Sequence, residues 1–153
     1  YFYQFRGEIK FKLKDYSGAF EDFQKLVYLE PQDTISYFII ADAKYQLNDY
    51  QGAIKVINTM IKLKPNKSFG YFIRGNAKYK SKNYLDAIND FSKAIEIRPD
   101  NAIHYRNRAF AKYKLQDFES SCNDYNKSIE LGYKEVVFPI TKITDQEVSW
   151  CNK

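Results

Sequence analysis

The apolar positions of this chain follow a helical spacing that stops and restarts at regular intervals. The clearest stripe steps by four, three and four residues along one helical face and consists of Tyr84, Ile88, Phe91 and Ile95. Pro99 comes next, and because the residue before a proline is disfavoured in the helical region, the helix is predicted to end there. The pattern therefore predicts one amphipathic helix closed by a proline.

The same pattern returns along the chain with a fixed period. Pro31, Pro65 and Pro99 lie 34 residues apart, and a constant period of this size is typical of a stacked repeat array. Short polar links separate the stripes and make neighbouring helices antiparallel. The eight predicted helices span 1–14, 16–30, 34–47, 50–64, 68–80, 84–98, 102–115 and 118–131. They group into four repeats at about 1–33, 34–67, 68–101 and 102–133.

Residue types recur at matching positions of the four copies. An aromatic residue opens each first helix: Tyr3, Tyr37, Tyr71 and Tyr105. A small residue follows four positions later: Gly7, Ala41, Gly75 and Ala109. A further aromatic residue follows the turn: Tyr16, Tyr50, Tyr84 and Phe118. In the second helix a small residue precedes a large apolar one by four positions, as in the pairs Ala19 and Phe23, Ala53 and Ile57, Ala87 and Phe91, and Ser121 and Tyr125.

This constant register resembles the tetratricopeptide repeat (TPR) family over about residues 1–133. The resemblance implies an all-α fold, a right-handed superhelical α-α solenoid of TPR helix pairs. It also implies a concave groove, lined by the first helix of each pair, that holds a peptide or helix of another protein. The groove positions that it implies for partner binding are Phe38, Asp42, Tyr45, Phe72, Asn76, Tyr79, Arg106, Asn107, Phe110 and Tyr113. For the tyrosines among them, a structural contact between adjacent first helices is an equally good interpretation.

The chemistry of these positions indicates the kind of partner. Chaperone-binding members of the family hold a C-terminal carboxylate with Lys, Asn and Arg side chains. Here only Asn76 and Asn107 match that set, and Phe72 stands where a cation is required, so this mode is not expected. The groove is apolar in the middle and cationic towards Arg106. That character suits an extended or helical segment with apolar anchors and an acidic end.

One set of charges also follows the repeat. Arg6, Arg74 and Arg108 recur together with Asp22, Asp90 and Asp124. In repeat two both positions are apolar, as Ile40 and Val56. Joint presence and absence predicts buried Arg–Asp pairs between the two helices of a repeat. The alternative is a row of arginines that grips a carboxylate or phosphate. Lysines also recur, without a partner that the sequence identifies, at Lys10, Lys44, Lys78 and Lys112.

Composition changes this picture little. The net charge of +5 is spread among 24 basic and 19 acidic residues, which is typical of a solvated surface, although basic and aromatic residues together leave single-stranded RNA binding as an alternative function. No apolar run is long enough to span a membrane. The one histidine, His104, has no repeat-matched partner and is interpreted as a surface residue. No enzyme, cofactor or metal site is therefore predicted, and Cys122 is expected to be a small core residue without a disulfide.

The pattern changes after repeat four. Gly132 is typical of a helix stop, and residues 134–153 contain a short apolar stretch and a capping-box spacing before Trp150. Because an array needs an element that covers its last core face, this segment is predicted to be a C-terminal cap with Trp150 as a core residue. The chain contains no initiating Met, so it is expected to be a piece of a longer protein.

Overall fold

A computed structural model of the chain describes residues 2–133, and within that range it contains eight α-helices and no strands. The helices are α1 (Phe2–Lys12), α2 (Tyr16–Leu29), α3 (Thr34–Gln46), α4 (Tyr50–Leu63), α5 (Ser68–Lys80), α6 (Tyr84–Ile97), α7 (Ala102–Lys114) and α8 (Phe118–Glu130). The bounds lie within two residues of those predicted from the apolar spacing. The predicted cap, 134–153 with Trp150, lies outside the described residues.

The helices stack in chain order. Each helix packs against the next, and the first helices α5 and α7 also touch directly. This arrangement is an all-α helical-repeat solenoid, as the period predicts. Its core is built where large residues of the second helices, such as Phe23, Ile57 and Phe91, lie beside buried alanines.

Gly75 shows why small residues recur in the first helices. A Cβ atom built on Gly75 would lie 2.6 Å from the Cε1 atom of Phe91, which is well inside van der Waals contact. In repeat two Ala41 occupies the same register, and the residue in the register of Phe91 is the smaller Ile57. In these two repeats the smaller residue of the first helix thus faces the larger side chain of the second.

The turns inside the repeats share one backbone conformation. The left-handed region is occupied at the same register of all four copies, by Lys14, Asn48, Lys82 and Gln116. The next residue caps the second helix, because its side chain accepts a hydrogen bond from a backbone N–H three residues later. These capping residues are Asp15, Asp49, Asn83 and Asp117. The starts of the first helices differ more, since Asp33 and Asn101 cap α3 and α7 whereas Lys67 provides α5 with no side-chain cap.

The predicted Arg–Asp pairs are present in three repeats. In repeat three, Arg74 donates from Nε and Nη2 to the two carboxylate oxygens of Asp90 at 2.9 and 2.6 Å. Lys78 completes the site with its Nζ 2.8 Å from Oδ2 of the same carboxylate. The equivalent three residues meet in repeats one and four. The recurring lysine thus acquires the partner that the sequence did not identify.

The recurring lysine of repeat two and two of the arginines make further polar contacts. Where Val56 replaces the aspartate, Lys44 instead pairs with Asp49 at 2.9 Å. Arg74 also reaches the preceding repeat, with its Nη1 2.7 Å from Oδ1 of Asn58, and Arg108 contacts Ser92 in the same way at 3.0 Å. The guanidinium groups are therefore used within the scaffold, which favours the pairing interpretation over a ligand-gripping row.

Cys122 differs from its expected role. Its side chain is half-buried on α8 rather than fully enclosed, and it takes part in a disulfide bond. The other cysteine, Cys151, lies outside the described residues. A count of two cysteines gave too little pattern to predict a pairing.

Candidate functional site

The first helices of repeats two, three and four form one wall of a cavity of about 340 Å³. Its floor includes Ala53, Ile57 and Phe91 from the second helices. The first helices contribute Phe38, Ala41, Asp42, Tyr45, Gln46, Phe72, Ile73, Asn76, Tyr79, Lys80, Ile103, Arg106, Asn107 and Phe110. We call this cavity the groove.

The structure places most of the implied partner-binding residues on this groove. All of them except Tyr113 belong to its lining. Sequence reasoning missed Gln46, Lys80 and Ile103. Each lies one helical turn from a residue that it did identify, so extending the register by three or four positions would have found them.

Aromatic rings make the centre of the groove apolar. The ring of Phe72 lies 6.2 Å from that of Phe91 and 5.2 Å from that of His104. At the α7 side the guanidinium of Arg106 stacks 4.3 Å from the centre of the Phe110 ring, an arrangement that holds a cation beside an apolar surface. The groove can therefore accept apolar side chains next to a positive charge.

Polar groups are few and lie at defined points. Asn107 donates from Nδ2 to Oδ1 of Asn76 at 2.8 Å, which joins α7 to α5. Gln46 donates to Asp42 at 3.0 Å on α3. An amide side chain has two donor hydrogens and an acceptor oxygen with two lone pairs, so the Asn pair retains capacity for a further polar group. The charges of the lining divide between Asp42 on α3 and the cations on α5 and α7.

Each tyrosine of the series makes a ring contact inside its own repeat. Tyr45 meets Tyr50 edge-on at 5.3 Å, Tyr79 meets Tyr84 at 5.3 Å, and Tyr113 meets Phe118 at 5.6 Å. These ring contacts link the first helix of a repeat to the start of its second helix. Burial raises the pKa of Tyr45 to about 12, so its phenol is neutral at neutral pH.

His104 is a core residue, and its interpretation as a surface residue is wrong. Only 3% of it is exposed, and its ring packs on Phe72. Its Nδ1 atom has no hydrogen-bond partner among the described residues. Burial is the main cause that lowers the pKa of the imidazole below 6.5, and the charge of Arg98 lowers it further. At neutral pH the ring is therefore uncharged.

Acidification is expected to destabilise the chain through this residue. The unfolded state takes up the His104 proton first, because its pKa is higher than in the folded state, so the free energy of unfolding falls as pH drops below 6.5. The chain has one histidine, so the slope between about pH 7 and pH 5 belongs mainly to it. Urea denaturation at several pH values should show the fall in the parent protein. The variant His104→Ser, which copies the residue of repeat two, should lose most of it, and an equal slope in both would contradict this account.

Comparisons with known proteins agree with the geometry. The sequence profile of the tetratricopeptide repeat matches residues 1–33 and 35–67, and that of a TPR repeat matches residues 75–116. MamA from Desulfovibrio magneticus RS-1 has a similar structure, with a TM-score of 0.77 and 21% identity over 84% of this chain and 72% of that one. The first TPR of Spaghetti (RPAP3), bound to the HSP90 peptide SRMEEVD, has a TM-score of 0.69 and 20% identity over 74% of this chain and 90% of that one. No curated protein sequence matches at a significant level.

Two further observations concern residues 2–133 alone. No cluster of three or more His, Cys, Asp or Glu side chains there is arranged to hold a metal ion. None of these helices combines the length and the apolar character required to cross a membrane. With the repeat profiles matching most of the sequence, the chain belongs to the tetratricopeptide repeat family, a family of non-enzymatic protein-interaction repeats.

Proposed function

We propose that the groove binds a peptide or a single helix of a partner protein. The partner places apolar side chains against Phe38 and Phe72 and a carboxylate near Arg106. The observation that carries the proposal is the cavity itself, in which an aromatic floor and wall adjoin an amide pair and separated charges. A concave, mainly apolar surface with a few placed polar groups is the usual form of a binding site.

Two features support a polypeptide as the occupant. The Asn76–Asn107 pair offers both donors and acceptors, which suit the N–H and C=O groups of a peptide backbone. A TPR of similar fold, that of RPAP3, is bound to a peptide. In this chain Phe72 replaces a cation of the carboxylate-binding set, so apolar anchoring and not a terminal carboxylate determines the partner.

Single-stranded RNA is the alternative occupant. The aromatic rings of the groove and the positive net charge are the observations that favour it. Against it, Arg74 and Arg108 donate to aspartates of the scaffold, and Asp42 adds a negative charge to the groove lining. RNA binding relies on cations that reach phosphates, and these arginines are already paired.

The test is a selection with a random peptide library on the purified chain. Displayed peptides of about 16 residues span roughly 50 Å when extended, enough to cross the groove. Selected peptides are expected to share apolar anchors. Ile103→Glu should weaken their binding by about tenfold or more, because it places a charge in an apolar contact. Leu85→Glu is the matched control, since Leu85 is also exposed but lies outside the groove lining.

Fluorescence anisotropy with labelled peptides and a labelled single-stranded RNA separates the alternatives. Peptide binding that Ile103→Glu weakens and Leu85→Glu spares supports the proposal. Equal effects of the two variants would contradict it. RNA binding that falls steeply with salt, in the absence of peptide binding, would replace it with the alternative function.

A further inference from the structure

A second cavity lies beside the groove where α3 and α5 begin and α4 ends. Its volume is about 270 Å³, and its lining includes Ile35, Met60 and Phe69. Ile35 is 66% exposed and Phe69 is 47% exposed, so apolar surface at its mouth faces solvent. We call this cavity the side pocket.

The side pocket and the groove share one lining residue. Phe38 lines both cavities, and its ring meets that of Phe69 edge-on at 4.9 Å. A polypeptide that contacts Phe38 in the groove is therefore next to the apolar lining of the side pocket.

The next junction of the array is built differently. Gly70 lines the side pocket and carries no side chain. His104 has the same register at the start of α7, where its buried ring lies 5.2 Å from Phe72. An imidazole thus takes up volume at that junction, whereas at Gly70 the side chain of Ile61 packs directly on the backbone, since a Cβ atom built there would lie 2.8 Å from its Cγ1 atom.

The rim of the side pocket is positive. Lys64 and Lys67 line it, and neither makes an ion pair with any residue between 2 and 133. At the preceding junction the same registers hold acidic residues, Glu30 and Asp33. Arg98 has the register of Lys64 at the following junction, but two lysines together occur at this pocket, and their charge favours an acidic group beside an apolar one.

We propose that the side pocket takes a second anchor of the groove partner, an apolar side chain with a neighbouring Asp or Glu whose carboxylate meets Lys64 and Lys67. The inference rests on the proposed function of the groove, because it treats one polypeptide as the occupant of both cavities. The partner is then a segment with two apolar anchors and an acidic residue next to the one at the side pocket.

The experiment uses the peptides selected on the unaltered full chain as probes. Ile35→Glu should weaken their binding by about tenfold or more, because a charge would enter an apolar contact beside the peptide carboxylate. Lys67→Asp should weaken it similarly by charge reversal. Asp is also a favoured helix-capping residue, so this variant is expected to melt no lower than the parent, and loss of fold cannot explain its loss of affinity.

The outcomes separate the two proposals. Weakening by Ile35→Glu, Lys67→Asp and Ile103→Glu, with Leu85→Glu neutral, supports both. Weakening by Ile103→Glu alone keeps the groove as the binding site and overturns the second anchor. Weakening by the side-pocket variants alone overturns the shared occupant and the groove proposal together. Selected peptides that lack an acidic residue beside an apolar anchor also overturn the inference.

Discussion

Replacing Asp90 by alanine is expected to lower the free energy of unfolding by about 3–5 kcal/mol, the usual cost of removing one partner from a buried ion pair. The Asp90 side chain is 5% exposed and receives Arg74 and Lys78. The side chains of Arg74 and Lys78 are 21% and 18% exposed. Without the carboxylate, both of these largely buried cations lose an ion-pair partner. Urea denaturation followed by helical circular dichroism measures the loss.

Repeat two provides the control for this experiment, because the chain itself has replaced the pair. The triple variant Arg74→Ile, Asp90→Val and Asn83→Asp copies Ile40, Val56 and Asp49. It removes both pair members and gives Lys78 the carboxylate that Lys44 uses. Its stability should lie within about 1–2 kcal/mol of the parent, because apolar residues of suitable shape often replace a buried pair at little cost. A loss as large as that of Asp90→Ala would contradict this account.

The second large effect is expected at Phe91, which is 1% exposed. Phe91→Ala should destabilise by about 3–5 kcal/mol, because it leaves a cavity between α5 and α6. Phe118→Ala is the matched control, since Phe118 is 48% exposed at the start of α8. If both variants lost a comparable amount of unfolding free energy, the burial of Phe91 would not be what stabilises the core.

The close approach of Gly75 makes a sharper version of this test. Gly75→Ala should destabilise despite its higher helix propensity, because the new Cβ meets the rigid Phe91 ring at 2.6 Å. In a Phe91→Ile background, which copies the pairing of Ala41 with Ile57, the same change should be neutral or stabilising by up to about 1 kcal/mol. The expected result is that the effect of Gly75→Ala on the free energy of unfolding, measured by urea denaturation, changes sign between the two backgrounds.

Periodic features of this chain were predictable from sequence because each is repeated. The four occurrences of the apolar stripe give the helices, and the joint loss of both charges in repeat two predicts the Arg–Asp pairs that the structure confirms. The implied groove residues also fall together, apart from Tyr113. A position that packs against the same neighbour in every repeat keeps the same type of residue, so the repetition itself indicates its structural role.

Features that occur once were not predictable in this way. His104 has Ser36 and Gly70 as counterparts, so no pattern indicates that an imidazole is buried there. The side pocket is lined by Gly70, which has Ser36 and His104 at the same register, so no repeated pattern indicates this pocket either. The disulfide of Cys122 has no counterpart in the other repeats, so no repeated pattern indicates it. The aspartate partners of the recurring lysines were missed for another reason. Each of these aspartates receives both an arginine and a lysine, whereas matching the charges in pairs assigns it to the arginine alone.

The bonds of Arg74 to Asn58 and of Arg108 to Ser92 affect how the array comes apart. In a linear array, stability is a sum of repeat terms and nearest-neighbour terms, and these two bonds add to the junctions between repeats two and three and between repeats three and four. At the first junction the register holds Ile40, whose hydrocarbon side chain can form no such bond. The junctions between repeats two and three and between repeats three and four therefore each gain a side-chain hydrogen bond that the first junction lacks at this register, and we expect these bonds to favour joint unfolding of repeats two to four.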